Sequence, residues 1–89
     1  MMVMTLTTLA IEAQGATILL DPGHGGEDLG AIVQGKKKKI YEKDLTLQMA
    51  KRIMAKLKAK GQDAYLTRSI DRTVTLNERA EQAEKVKAD

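Results

Sequence analysis

Two short apolar runs, Ala16-Thr17-Ile18-Leu19-Leu20 and Ala64-Tyr65-Leu66-Thr67, flank a long amphipathic stretch from Glu42 to Lys60, and this order restricts the chain to an α/β fold. Within the stretch, Leu45, Met49, Ile53 and Leu57 recur every four residues, and Leu47, Ala50, Met54 and Leu57 fill the adjoining stripe. That is the period of a helix with one apolar face. Gly61 follows Lys56, Lys58 and Lys60, which combines a glycine cap with cations at the negative end of the helix dipole. The first apolar run is bounded by Gly15 and by Asp21-Pro22-Gly23 and reads as a buried strand. Thr75-Leu76-Asn77-Glu78 has the spacing of a capping box and predicts a second helix running through Ala80, Ala83 and Val86. Strand, helix, strand, helix implies a parallel sheet with right-handed crossovers. Two strands form only the opening of such a sheet.

Between the first strand and the first helix, the stretch from Asp21 to Gly35 holds five of the seven glycines and reads as a loop. His24, the one histidine, sits there in Asp21-Pro22-Gly23-His24-Gly25-Gly26. In open α/β sheets ligands bind beyond the carboxyl ends of strands, where this loop must lie. Two readings of His24 fit: a ligand or catalyst that flanking glycines leave accessible, or a turn in which the glycines serve backbone geometry alone. Glu42 in Tyr41-Glu42-Lys43-Asp44 also has two readings. Near a helix N-terminus a carboxylate is favoured by the dipole, and an anionic side chain there can also serve as a ligand. No phosphate-cradling pattern is present.

Taken together, Asp-Pro-Gly-His-Gly-Gly after a strand, Glu42-Lys43-Asp44 opening a helix, Leu66-Thr67-Arg68 and Leu76-x-x-Arg79 resemble the amidase type 3 family of cell-wall hydrolases, zinc-dependent N-acetylmuramoyl-L-alanine amidases. The likeness covers residues 17 to 89. It implies that residues 16–89 are the N-terminal part of an amidase catalytic domain with a mixed or parallel sheet. It further implies that His24 and Glu42 are the first and second Zn²⁺ ligands, and that peptidoglycan is cut at the amide joining N-acetylmuramic acid to L-alanine, in the periplasm or the cell wall outside the cell. Arg68, Asp71 and Arg79 match positions read as exposed structural ion pairs, each worth little. The family's third zinc ligand, a histidine following an Ala-Asp pair, and its catalytic glutamate have no counterpart here, since the sequence ends at Ala88-Asp89. No catalytic residue is therefore assigned, and the chain is expected to be an inactive fragment unless Glu27 or Asp28 completes the site.

Composition narrows the rest. At 89 residues the chain is one domain or part of one, with no Phe or Trp and two Tyr, so its core must be aliphatic and thin. The absence of Cys removes disulfides, thiolate metal sites and thiol nucleophiles. Lys36, Lys37, Lys38 and Lys39 form one run; subtracting their four charges from the net +3 leaves −1. Such a run can bind an anionic wall polymer, which gives a second function class, a non-catalytic truncated module, or it can be a solvated loop. No aromatic residues interleave with it, which argues against nucleic acid. Residues 1–15 read as the remnant of a signal peptide or leader: Met1 to Ala13 is apolar, ends in small residues, lacks a positive start, and is too short to span a bilayer. With two strands, the apolar stripes of both helices are expected to stay partly open and to favour self-association.

Overall fold

A computed structural model describes residues 16–89. Strand β1 spans Thr17–Leu20, β2 Ile32–Gln34, β3 Lys39–Tyr41 and β4 Asp63–Leu66; helix α1 spans Glu42–Ala59 and α2 Leu76–Lys85. β1 and β4 are neighbours and parallel, with Ile18 opposite Ala64 and Leu20 opposite Leu66. The α/β class and the parallel pairing expected from the alternation are thus present. The Met1 to Ala13 stretch lies outside the described residues.

The expected loop from Asp21 to Gly35 is only partly a loop. Ile32–Gln34 pairs antiparallel with Lys39–Tyr41, Val33 opposite Ile40, in a hairpin between β1 and α1. Strands of three residues are too short for alternation to stand out from noise. The lysine run hides the turn further, because it lacks the Asn-Gly or Asp-Gly signal of tight hairpins.

The helix ends follow from local chemistry. α1 has no side-chain cap at Tyr41; the Glu42 and Lys43 amides donate instead to the carbonyls of Ala31 and Leu29, at 2.9 and 3.2 Å. The preceding loop therefore satisfies donors that a helix start leaves open. At the other end Gly61 has φ +78, its amide donates to the Lys58 carbonyl, and the Gln62 amide reaches back to Leu57, a paired closure by a left-handed residue. α2 begins as its capping box requires, with the Glu78 amide donating to Thr75 Oγ1 at 3.1 Å.

α1 packs against β4, but with the second of its two candidate stripes. Ala50 is buried and Leu47, Met54 and Leu57 are half-buried, whereas Leu45, Met49 and Ile53 are 52, 63 and 41 % exposed. A two-stranded sheet is only about 10 Å wide, too narrow for both stripes. Ala50 on the helix and Ala64 on the strand, both small and buried, let the two elements approach closely. A mutational pair checks this orientation: Met49→Ser should shift the urea midpoint by less than about 0.5 kcal/mol equivalent, while Ala50→Leu should cost about 1–3 kcal/mol by overpacking. The reverse order would show that the outer stripe is the packed one.

Candidate metal centre

β1 delivers the chain into Asp21-Pro22-Gly23-His24, and the loop then folds tightly back. The Gly25 amide donates to the Asp28 carbonyl at 2.8 Å and the Asp28 amide to the Gly25 carbonyl at 3.0 Å. That turn sets Asp28 beside the imidazole, with His24 Nδ1 lying 3.0 Å from both carboxylate oxygens. His24 itself has φ 66, a left-handed conformation that costs a non-glycine residue about 1 kcal/mol or more and persists only where surroundings impose it.

The imposing groups are cationic side chains acting on carbonyls. Arg68, which is 2 % exposed, donates Nε to the Pro22 carbonyl at 3.1 Å, Nη2 to the Gly23 and Lys43 carbonyls at 3.1 and 2.9 Å, and Nη1 to the Ile70 carbonyl at 3.1 Å. Arg79 ion-pairs with Asp21 and donates to the Pro22 and His24 carbonyls at 3.1 and 3.0 Å. Lys43 Nζ reaches the Gly26 carbonyl at 3.0 Å and Asp71 at 2.8 Å, and Asp71 accepts from the Gly26 amide at 2.7 Å. The expectation that Arg68 and Arg79 make exposed ion pairs of little worth is therefore corrected: Arg68 is buried and Arg79 half-buried, and both bind backbone carbonyls. A burial pattern of this kind has no sequence signal, although a loop rich in free carbonyls at a strand end requires donors from somewhere.

Glu42 arrives from the other side, on the first residue of α1. Its Oε1 accepts from the Ala31 amide at 2.8 Å and lies 3.2 Å from His24 Nε2. Two donors on one tetrahedral zinc, each about 2.0–2.1 Å from the ion, stand about 3.3 Å apart, so the spacing suits a shared cation. Gly30 makes this approach feasible: a Cβ at its position would lie 2.7 Å from His24 Cδ2 and 2.8 Å from Glu42 Oε1. The side chains of His24 and Glu42 are 33 and 43 % exposed, so an ion and a substrate can reach them. A cleft of about 460 Å³ lined by His24, Asp28, Val74, Leu76 and Arg79 adjoins the imidazole.

The electrostatics agree. The hydrogen bond that His24 Nδ1 donates to the Asp28 carboxylate, helped by Coulomb attraction to both Asp28 and Glu42, raises the His24 pKa above the ordinary imidazole value, and the same bond lowers that of Asp28. An imidazole between two carboxylates attracts positive charge, whether a proton or a metal ion. Asp28 lies on the Nδ1 side, away from Nε2, which suits a carboxylate that orients a metal-binding histidine rather than a third ligand. The Glu27 amide donates to Thr73 Oγ1 at 3.2 Å. Among the described residues, no group of three His, Cys, Asp or Glu side chains is gathered for a metal.

Comparison with known proteins then bears on the whole arrangement. The sequence profile of the family described as N-acetylmuramoyl-L-alanine amidase matches residues 18–89. The N-acetylmuramoyl-L-alanine amidase LytC of Bacillus subtilis is 44% identical over 84% of this chain and 14% of its own length. YqiI of the same organism is 40% identical over 85% of the chain and 35% of its own length. The solved structure of N-acetylmuramoyl-L-alanine amidase AmiC2 of Nostoc punctiforme superposes with a TM-score of 0.72 at 43% identity, covering 85% of this chain and 41% of that one. The chain thus spans well under half the length of the relatives it matches.

Two measurements test how the loop is held. Arg68→Ala leaves the buried Pro22 carbonyl and the part-buried Gly23 and Lys43 carbonyls without their donor, at up to about 1–3 kcal/mol each, so it should lower the urea midpoint strongly, and Arg68→Lys should recover only part, since an ammonium cannot span the fork; a urea midpoint near that of the unmutated chain would contradict this. Asp71 gives a pH signature. The Lys43 hydrogen bond and the Gly26 amide hold its pKa below the ordinary 3.8, so its contribution is present above that value and lost as pH falls through the folded-state value. The gap in urea midpoint between the unmutated chain and Asp71→Asn should therefore be full near neutrality and vanish in strong acid.

Proposed function

The chain belongs to the N-acetylmuramoyl-L-alanine amidase family, and from that membership we propose that it supplies the first two protein ligands, His24 and Glu42, of a zinc centre that hydrolyses the amide between N-acetylmuramic acid and L-alanine in peptidoglycan. The observation that carries the reading is the 3.2 Å approach of His24 Nε2 to Glu42 Oε1, with Asp28 behind Nδ1. On this reading residues 16–89 are the N-terminal part of the catalytic domain. The work takes place where peptidoglycan lies, in the periplasm or the cell wall.

A zinc ion at this pair supplies Lewis-acid chemistry suited to amide hydrolysis. The protein's own residues prepare for it. Asp28 accepts the Nδ1 proton, which fixes the tautomer that leaves the Nε2 lone pair free. Ala31 directs the Glu42 carboxylate through its amide. Arg68 and Arg79 hold the loop carbonyls and so fix the backbone from which the imidazole projects. The open cleft beside His24, with Leu76 84 % exposed at its wall, leaves room for a substrate peptide. A third ligand and a general base are needed besides these residues, since zinc hydrolases hold the ion with three protein groups.

The experiment is a pair of assays. The 89-residue chain alone should release stem peptides from purified sacculi no faster than buffer. A chimera in which residues 16–89 replace the matching segment of AmiC2 should release them with zinc and lose the activity in His24→Ala and Glu42→Gln. A folded chimera without zinc-dependent release, or one that survives both substitutions, would overturn the reading.

A further inference from the structure

The hairpin that interrupts the β-α-β unit carries the lysine run at its far end. Gly35 closes the turn by donating its amide to the Lys38 carbonyl at 2.9 Å, and a Cβ there would meet that same carbonyl oxygen at 2.7 Å. Lys36, Lys37 and Lys38 thus lie in a tight reversal, with Lys39 starting β3 opposite Gln34. All four are exposed and none takes part in an ion pair among the described residues, while Lys43 just below is tied to Asp71. From Ala31 to Tyr41 the sequence contains no Asp or Glu. Gathering four like charges on a short turn without a counter-charge opposes folding of that turn. The arrangement therefore makes sense as a surface for something outside the chain.

We propose that this hairpin is an arm that grips a phosphate-bearing linear polyanion, of the poly(alditol phosphate) type, laid beside the candidate metal centre. The partner's chemistry follows from the residues. Ammonium groups bind phosphates as point charges, and the hairpin has no Arg for the bidentate geometry that planar recognition uses. The tip has no aromatic residue, so bases have nothing to stack on. Its leading end, Gly35 to Lys39, has no apolar side chain to enter a bilayer, because Ile32, Val33 and Ile40 lie behind it on the stem. The positive patch is also narrow, which suits a thin chain better than a broad membrane face. With a rise of about 3.4 Å per residue, the tip stands about 10–15 Å from Ala31 and the Glu42 carboxylate. A chain held at the tip is thus kept near the cleft without occupying it.

The proposal needs neither zinc nor hydrolysis, so it stands or falls apart from the amidase reading. The test is binding of the full chain to purified poly(glycerol phosphate), compared at low and physiological salt. Two quadruple variants carry equal charge changes: Lys36, Lys37, Lys38 and Lys39 each →Gln on the hairpin, and Lys51, Lys56, Lys58 and Lys60 each →Gln on α1 and its C-cap. The unmutated chain should bind at low salt and weaken steeply as salt rises; the hairpin variant should lose at least about tenfold and the α1 variant less than about twofold, with far-UV circular dichroism unchanged in both. Equal losses in the two variants would reduce the effect to net charge and overturn the proposal. So would absence of polymer binding at low salt, or binding to phosphatidylglycerol vesicles without binding to the polymer.

Discussion

The rest of the structure depends on the buried guanidinium of Arg68. It lies just past the end of β4 and donates to carbonyls on three separate pieces of chain: Pro22 and Gly23 after β1, Lys43 in the first turn of α1, and Ile70 in its own loop. Burying a cation in this way is costly unless its donors are met. Here they are, and no buried side-chain nitrogen or oxygen among the described residues lacks a partner. Burial pulls the Arg68 pKa down, and the nearby charge of Arg79 adds to that, but Asp71, Asp44 and Asp21 oppose the shift. The two candidate ligands thus come from segments that one side chain ties together.

Within the described residues this polar clamp carries more of the packing than apolar contact does. Among the described residues the buried aliphatic side chains are Ala50, Ala64 and Val74, none of them large. Helix α2 is attached largely through polar bonds: Arg79 to Asp21, Pro22 and His24, and Gln82 Nε2 to the Thr67 carbonyl at 2.9 Å. Thr67 is itself buried and donates its hydroxyl to Asp21 at 2.9 Å. Interactions of this kind are directional, so they fix where the loop sits more sharply than aliphatic contact would. They also fail together, because each carbonyl left without its donor in a dry site is penalised.

How much of this could be read from the sequence depended on whether the deciding physics was local. Helix ends were legible because capping is local: Thr75 with Glu78, and Gly61 after its lysines, act within one turn of chain. β1 and β4 were legible as bounded apolar runs. The buried face of α1 was not, since two stripes had similar apolar content and only the width of the sheet decides between them. The hairpin escaped because its strands are three residues long. At the site, the motif and the resemblance it carries pointed to His24 and Glu42, and the structure brings those two side chains together. Asp28 as the partner of Nδ1 and the buried state of Arg68 were not legible, because both depend on how the loop folds back on itself.

The same loop geometry links the hairpin to the candidate metal centre. Ala31 donates its amide to Glu42 Oε1 and accepts the Glu42 amide on its carbonyl, so one residue at the root of β2 holds both the backbone and the side chain of Glu42. Gly30, directly before it, takes φ +68 and lets the His24 ring pass close by. The paired strands of the hairpin therefore run directly into a residue that is hydrogen-bonded at both its amide and its carbonyl to Glu42. Glu42 is thus oriented from Ala31 and His24 from Asp28 and the arginines, and the two supports are joined: Asp28 Oδ1 also accepts the Gly30 amide at 3.2 Å, and Arg68 binds carbonyls on both segments, so the 3.2 Å gap rests on one linked frame.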